Sequence, residues 1–264
     1  VTEFITAGIP GVVGGNPDLS EETAETITYG LVLEPSQFVP GLRVIVDYYD
    51  IKIDGAIDAL SAERVSEACV DLQSTDNVFC PLIQRDPAGF ITFHQSGQVN
   101  LGSLETSGVD FGVTYDLPLG SYGDLDLSVT GTHLLEWKEF QDPIDTTVFQ
   151  DRVGEFAYPE WITNVNARWR LNNLSLGWSM RYEASQLLPN IENQNIDANP
   201  LFVDPLRTGR GIVHDFNAGY EFGERLSVYG GLNNAFDERP YLGTLARPAG
   251  PRGRFLFAGL NYRL

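Results

Sequence analysis

The sequence predicts an all-β chain that forms part of an antiparallel β-barrel crossing a membrane. Apolar and polar residues alternate with a period of two through nine segments. Most of these segments have about ten residues, whereas strands of soluble proteins average about five or six. Aromatic residues lie near the ends of the apolar faces, and short connections alternate with long ones, as in outer-membrane barrels.

Each segment places its apolar residues on one face. In the last segment, for example, Leu264, Tyr262 and Leu260 alternate with Arg263 and Asn261. The nine segments are residues 26–33, 42–51, 109–117, 125–137, 161–170, 174–182, 215–222, 225–232 and 252–264. We expect residues 91–111 to form one descending strand or an ordered lead-in to the strand at 109–117, because a turn at 100–103 would put the longest connection on the side of the short turns.

The polar faces distinguish a barrel wall from a soluble β-sandwich. They carry Arg, Asp, Glu and Asn in mid-strand, as expected where one face meets lipid and the other lines a lumen. The aromatic residues on the apolar faces stand where girdles meet the lipid–water boundary. These are Tyr48, Tyr115, Trp137, Trp161, Trp169, Tyr182, Tyr220, Phe222 and Tyr262.

The connections predict an orientation. The short ones are residues 34–41, 118–123, 172–173 and 223, and the long ones are roughly residues 54–96, 138–156, 184–211 and 235–251. Outer-membrane barrels have short periplasmic turns and long extracellular loops. The last strand therefore runs toward the periplasm, where we expect the C-terminus.

The first long connection contains both cysteines and a predicted helix. Helix-forming residues follow Ser61, a suitable N-cap, so we expect a helix from Ser61 to Cys69. Cys69 and Cys80 lack the four-ligand spacing of a zinc site. A local disulfide in an oxidising compartment is the favoured interpretation.

Composition and motifs exclude several classes of function. With 17 Lys and Arg against 36 Asp and Glu, the net charge of −19 argues against binding nucleic acid. No apolar run is long enough for a transmembrane helix. The three histidines, His94, His133 and His214, form no pair at metal-ligand spacing, and no hydrolase or zinc-protease motif is present, so we expect no enzyme, cofactor or metal site. Asp145 and Asp151 leave calcium binding as a less favoured alternative to a solvated loop.

Nine strands do not close a bacterial single-chain barrel, whose strand number is even. An unpaired edge would also leave backbone groups facing lipid. The sequence, which begins at Val1, is therefore expected to be the C-terminal part of a larger barrel whose earlier strands lie upstream.

Several motifs, in order along the chain, resemble TonB-dependent outer-membrane receptors. GNPDLSEETAETITYGLVLEP (15–35) and PGLRVIVDYYDIKI (40–53) are similar to the start of the last third of that barrel, with Ser20-Glu21-Glu22 where the family commonly has Pro-Glu. The paired-cysteine loop (68–91), VNLGSLETSGVDFGVTYDL (99–117) and GLNNAFDERPY (231–241) also match family patterns. The terminal Gly259, Tyr262 and Leu264 resemble the signal that the barrel-assembly machinery reads, although family members more often end in Phe.

The resemblance implies a barrel of about 22 strands around a plug domain. All of residues 1–264 would then be the C-terminal barrel portion, with the plug and its TonB-contacting segment upstream. Expected partners are those upstream strands, the plug, TonB through the plug, outer-membrane lipid and the assembly machinery.

Two groups of side chains are candidates for contact with a solute. Arg168, Arg170 and Arg181 are predicted to face the lumen, either touching solute or plug or, as we favour, pairing with Asp110, Asp126 or Glu221. Phe140, Asn193, Tyr241 and Arg247 lie in predicted loops, where aromatic rings stack on sugars and arginine pairs with acids.

The predicted function is active import of a scarce nutrient across the Gram-negative outer membrane. A carbohydrate, a siderophore and another nutrient all fit, with a weak preference for carbohydrate from the family resemblance of the cysteine loop. One alternative is an independent small barrel acting as an envelope enzyme or adhesin. Another is a soluble β-sandwich binding module, which would remain in solution without detergent.

Overall fold

The computed structural model describes residues 8–17, 19–71, 77, 79–140, 147–187, 207–241, 248–250 and 252–263. Nine long strands dominate this part of the chain. They are β2 (Thr23–Leu33), β3 (Leu42–Leu60), β5 (Ile91–Pro118), β6 (Asp124–Phe140), β8 (Trp161–Leu171), β9 (Leu174–Glu183), β10 (Gly211–Phe222), β11 (Leu226–Asn233) and β12 (Phe255–Tyr262). Three short strands lie beside them: β1 (Gly11–Gly14), β4 (Ile83–Arg85) and β7 (Gln150–Asp151).

The nine long strands form one sheet in which each pairs with its neighbour along the chain. The order is β12-β11-β10-β9-β8-β6-β5-β3-β2, with β1 and β4 on β5 and β7 on β6. In the described residues the order ends at β12 and β2, so this sheet is not closed. The nine predicted segments are thereby confirmed, and residues 91–111 belong to the same strand as residues 109–117 instead of forming a separate lead-in.

Some strand ends differ from the prediction. β6 continues to Phe140, and β10 begins at Gly211 instead of residue 215. These strands are longer because backbone pairing continues beyond the residues whose side chains alternate in polarity. Gly211, for example, still pairs with Glu183 of β9. The short strands β1, β4 and β7 were not predicted, because two to four residues carry no periodic signal.

The described residues group into two compact units. The cysteine unit contains the described parts of Val1–Thr26, Ile51–Glu105 and Lys138–Asp151. The sheet unit contains the described parts of Ile27–Asp50, Thr106–Trp137 and Arg152–Leu264. The strands β3, β5 and β6 contribute residues to both units.

The cysteine unit contains the helix α1 (Ala62–Asp71), which was predicted as Ser61 to Cys69. The amide of Val65 donates to the carbonyl of Ser61 at 3.0 Å, the bond expected of a residue just before a helix. Cys69 and Cys80 form the predicted disulfide, with their Cα atoms 4.7 Å apart. No helix of the described residues is long and apolar enough to cross a membrane.

A small apolar core lies beneath the disulfide. Its buried members are Val65, Ala68, Cys69, Phe79 and Ile83, and Ile91 and Val99 of β5 pack against them. One face of α1 supplies Val65, Ala68 and Cys69, at the three- and four-residue spacing of a helix surface. The disulfide therefore fixes this helix to the segment that carries Phe79.

Asn100 joins three segments of the cysteine unit. Its Oδ1 accepts from the amide of Ser20 at 2.8 Å. Its Nδ2 donates to the carbonyl of Ser20 at 3.0 Å and to the carbonyl of Gly55 at 2.7 Å. One side chain on β5 thus satisfies backbone groups of the segment before β2 and of β3.

We predict that Asn100→Ala loosens these segments locally. Loss of three hydrogen bonds, each contributing about 0.5–1.5 kcal/mol, should lower local stability by about 2–3 kcal/mol. Hydrogen–deuterium exchange should show faster exchange of the Ser20 amide. Asn100→Asp keeps the acceptor for this amide and should retain more of its protection. An unchanged exchange rate at Ser20 in the alanine variant would contradict the assignment.

Candidate functional site

The polar face of the sheet unit is built in cross-strand rows. Ser128 of β6 lies opposite Asn166 of β8, Asn166 opposite Ser179 of β9, and Ser179 opposite Asp215 of β10. The adjacent row on the same face runs through Asp126, Arg168, Gly177 and Asn217. Because side chains alternate, this register sends polar groups from four strands to one face.

A groove of about 360 Å³ runs over these two rows. Its polar lining includes Asp116, Asp126, Asn166, Arg168 and Asn217. Charged and amide side chains lie side by side along this groove, so we expect its surface to be hydrated. No cluster of three or more His, Cys, Asp or Glu able to hold a metal occurs among the residues the structure describes.

The three predicted arginines differ in their contacts. Arg170 forms an ion pair with Asp126, its Nη2 lying 2.8 Å from Oδ2. Both side chains are partly exposed, so the pair contributes at most about 1 kcal/mol. Arg168 lies directly opposite Asp126 but makes no hydrogen bond or ion pair with a described residue, because Asp126 reaches diagonally to Arg170 instead.

Arg181 lies on the same face, opposite Asn164. Its guanidinium donates to the carbonyl of Pro248, and it lines a second groove, of about 270 Å³, with Asn164 and Asp215. The structure therefore places all three arginines on the polar face: Arg168 lines the first groove, Arg181 the second, and Arg170 a third of about 530 Å³. That this face lines a barrel lumen stays a prediction.

The apolar face is partly exposed along its length. Its middle row contains Leu127, Ala167, Trp178, Phe216 and Leu232, each opposite the next. Near its end, Leu256 and Leu260 of β12 are 76% and 71% exposed. No second layer of the described chain covers these side chains, which excludes a sandwich packed on this face. A surface this apolar requires a nonaqueous neighbour.

Aromatic residues mark both ends of this apolar face. At the end nearer the long connections, the rings of His133 and Trp161 stack at 3.9 Å. At the other end stand Phe222 and Tyr262, while the indole of Trp169 donates to the carbonyl of Tyr122 at 2.8 Å. Trp161 and Trp169 are eight residues apart on β8, about 26 Å along a strand. With a strand tilt of about 35–45°, this spacing corresponds to about 20 Å along the barrel axis, somewhat less than a lipid-facing band of about 25 Å.

The structure describes two of the four residues predicted to contact a solute, Phe140 and Tyr241. The ring of Phe140 packs on Phe149 at 5.4 Å, within the cysteine unit. In the sheet unit the hydroxyl of Tyr241 lies against Gly211, where β10 begins. Asn193 and Arg247 lie outside the described residues, as do Asp145 of the calcium alternative and Leu264 of the assembly signal. Their predicted roles stay predictions.

Sequence reasoning missed three rings on the polar face of β11 and β12. Phe257 extends over Gly231, and Tyr229 extends over Gly259, where a Cβ atom would lie only 2.5 Å from the Tyr229 ring. Phe255 stacks on Phe257 at 6.4 Å. The available signal was that these rings take polar positions in the alternation, with a glycine opposite two of them, Tyr229 and Phe257. Gly259 therefore has a local packing role beside its predicted role in assembly.

A single layer of long strands with one apolar face, one polar face and aromatic ends defines the class: a section of transmembrane β-barrel wall. The family model described as "TonB dependent receptor-like, beta-barrel" matches residues 2–235. The chain belongs to this family, whose members reside in the Gram-negative outer membrane. No curated protein sequence matches the chain.

Several solved structures share the fold. The ferric enterobactin receptor PfeA of Pseudomonas aeruginosa, in complex with enterobactin, is 17% identical over 95% of this chain and 32% of its own, with a TM-score of 0.62. The siderophore receptor PirA of Acinetobacter baumannii is 15% identical over 95% and 33%, with a TM-score of 0.60. The FrpB iron transporter of Neisseria meningitidis is 14% identical over 96% and 32%, with a TM-score of 0.55. The chain spans about a third of each.

We predict opposite outcomes for arginine on the two faces of β6. Leu127→Arg puts a charge at mid-height on the apolar face and should destabilise the folded barrel by about 2–4 kcal/mol. Ser128→Arg, one residue later, puts the same charge on the polar face and should change stability by less than about 1 kcal/mol. Urea unfolding in lipid vesicles measures both. Equal destabilisation by the two substitutions would contradict the assignment of faces.

Proposed function

We propose that this chain is part of an outer-membrane receptor that binds a scarce nutrient at extracellular loops and imports it with energy relayed by TonB. The observation that carries the proposal is the single-layer sheet with all long connections at one end of the strands. Four short connections, such as residues 172–173 and 223–225, join strands at the other end. This is the asymmetry of a barrel that presents its loops to the outside.

The proposal fixes an orientation. The short turns lie in the periplasm, and the long connections, including the disulfide loop, lie outside the cell. A disulfide in an external loop agrees with an oxidising environment. The C-terminus is then periplasmic, where Gly259, Tyr262 and Leu264 would present the assembly signal.

The edges of the sheet support the proposed partners. β2 and β12 end the strand order of the described residues, and lipid does not tolerate unpaired backbone groups. We propose that further strands of the same receptor pair with these edges and that a plug domain occupies the lumen. TonB would act through the plug. This part of the chain performs no bond chemistry in the proposal.

The nature of the nutrient is open to two main candidates. The structural neighbours are named for ferric enterobactin, siderophore or iron, which supports a siderophore. At 17% identity or below, however, the likeness carries the fold and not the ligand. A carbohydrate fits equally well with the candidate loop residues Phe140 and Tyr241, since aromatic rings stack on sugars.

Orientation is testable by cysteine labelling in intact cells. Ala88→Cys lies in the tight turn at residues 86–89, within the first long connection, and Ser121→Cys lies in the short turn between β5 and β6. We expect a membrane-impermeant maleimide to label the first variant in intact cells and the second only after the outer membrane is opened. The native cysteines are paired and do not react. The reverse labelling pattern would overturn the orientation.

Energy coupling is testable by uptake. Cells with the receptor that carries this chain should accumulate one of a panel of labelled solutes, comprising ferric catecholates, ferric citrate and maltooligosaccharides. Accumulation should fall to the level of receptor-deleted cells when TonB is deleted or the proton gradient is collapsed. Uptake that continues without TonB would rule out the proposed function.

A further inference from the structure

One arginine on the polar face of the sheet unit has a free guanidinium. Arg168 of β8 is exposed and makes no hydrogen bond or ion pair with a described residue. Asp126, directly opposite it on β6, pairs with Arg170 at 2.8 Å instead. A guanidinium presents five N–H donors in a planar fork, which matches the two oxygens of a carboxylate. This fork borders the groove of about 360 Å³, where an acceptor can reach it.

Gly177 brings a second polar group beside Arg168. Gly177 of β9 lies opposite Arg168 on one side and opposite Asn217 of β10 on the other, so the three residues share one row and one face. Neighbouring strands are about 4.8 Å apart, which puts the Cα atoms of Arg168 and Asn217 about 10 Å apart. The amide of Asn217 extends over Gly177, where a Cβ atom would lie 2.5 Å from Oδ1 and 2.6 Å from Nδ2. The missing side chain of Gly177 thus lets this amide approach Arg168.

The amide of Asn217 is available for a ligand as well. Its side chain is exposed and makes no hydrogen bond with a described residue. Its Nδ2 has two N–H donors, and it lines the same groove as Arg168. Donors from β8 and β10 therefore meet above a residue that has no side chain. An acceptor placed between them can bond to both.

The charges around this pair select the kind of acceptor. Asp116 and Asp126 also line the groove, and the chain as a whole has a net charge of −19. Both repel an anion in proportion to its charge, so a phosphate is disfavoured relative to a singly charged group. A neutral acceptor would forgo the stronger, charge-assisted bonds to the guanidinium. A carboxylate combines one negative charge with two coplanar oxygens and fits both conditions.

We propose that Arg168 and Asn217 bind one carboxylate, whose oxygens accept from the guanidinium and from Nδ2 of Asn217 above Gly177. Arg170 is a positioning residue in this arrangement, because it keeps Asp126 from pairing with Arg168. The carboxylate belongs to a small solute or to an Asp or Glu side chain elsewhere in the receptor, and its chemistry is the same in both cases. The inference goes beyond the proposed function and depends on neither TonB nor orientation.

Binding of a solute is tested on the purified full-length receptor in detergent. Phenylglyoxal modifies free guanidinium groups, and mass spectrometry of peptides gives the rate at each arginine. The probes are acetate, lactate and succinate, with glucose and inorganic phosphate as comparators. If the carboxylate comes from a solute, a carboxylate probe should slow the modification of Arg168, whereas the comparators should not. Arg43, which is paired with Glu34 at 3.0 Å, should show no change with any probe.

Binding of a side chain from the receptor itself is tested by crosslinking. Arg168→Lys keeps the positive charge and supplies a primary amine. A water-soluble carbodiimide activates a carboxylate, which forms an amide bond with an adjacent amine while the reagent leaves as a urea. If the carboxylate comes from the receptor, position 168 should link to an acid other than Asp116 and Asp126. Arg43→Lys should link to Glu34 and is the positive control.

A matched pair of glycine variants tests the second donor. Gly177→Ala should displace the amide of Asn217 and weaken the probe protection or the crosslink by about 2–10-fold, as expected for one hydrogen bond. Thermal stability should change little, because the short side chain of Asn217 can turn away. Gly112→Ala is the control on the same face. Its Cβ would make only an ordinary contact with Ile45 at 3.9 Å, so binding should not change.

A double substitution tests the positioning role of Arg170. Arg170→Gln should weaken the probe protection or the crosslink, since it releases Asp126 to pair with Arg168. Adding Asp126→Asn should restore the binding, because the competing carboxylate is then gone. A merely structural role of Arg170 would not be corrected by this second change.

Each outcome decides the inference. Protection by a probe supports it and assigns the carboxylate to a solute, and a crosslink to a distant acid supports it and assigns the carboxylate to the receptor. The inference is overturned if no probe protects Arg168 and Arg168→Lys links to no acid beyond Asp116 and Asp126. Binding that is unchanged in both Gly177→Ala and Arg170→Gln also overturns it. Uptake independent of TonB would remove the proposed function and leave this inference as it stands.

Discussion

The structure depends on the cross-strand register of one sheet. Each backbone ladder sends alternate side chains to opposite faces. If β6 paired one residue out of register, Ser128 would take the place of Leu127 on the apolar face, and every other residue of the strand would change faces in the same way. Backbone hydrogen bonds are satisfied within the ladder, and the apolar row is left to a nonaqueous neighbour. Lipid provides that neighbour, and it tolerates only strands whose backbone groups are paired. Long strands, aromatic ends and one polar face all follow from this constraint.

The connections between the strands are stabilised differently, because they contain no ladder of backbone hydrogen bonds of comparable length. Individual side chains hold them together. Gln186 is fully buried after β9, where its Oε1 accepts from the amide of Ala157 at 2.9 Å and its backbone exchanges bonds with Thr208 at 2.8 Å. Asn100 does the same in the cysteine unit. The structure of the sheet is thus determined by the alternation of apolar and polar residues, whereas that of its connections is determined by single polar residues. The sequences of these connections can therefore vary without altering the sheet.

This division explains how much could be predicted from the sequence. The nine long strands and their faces could be predicted because alternation over about ten residues is a local signal, while the absence of a turn at 100–103 followed from the order of short and long connections. The disulfide followed from two cysteines eleven residues apart. The contacts of Asn100 with Ser20 and the burial of Gln186 could not, since each joins segments distant in sequence. Pairing of Asp126 with Arg170 instead of Arg168, its direct neighbour, likewise depends on side-chain reach that the register does not reveal.

Charge is not distributed evenly over the chain. Its net charge of −19 creates a field that opposes the approach of anions. The polar face carries arginines, but Arg170 is paired with Asp126 and Arg181 with the carbonyl of Pro248. Arg168 alone among these three keeps its guanidinium unpaired within the described chain.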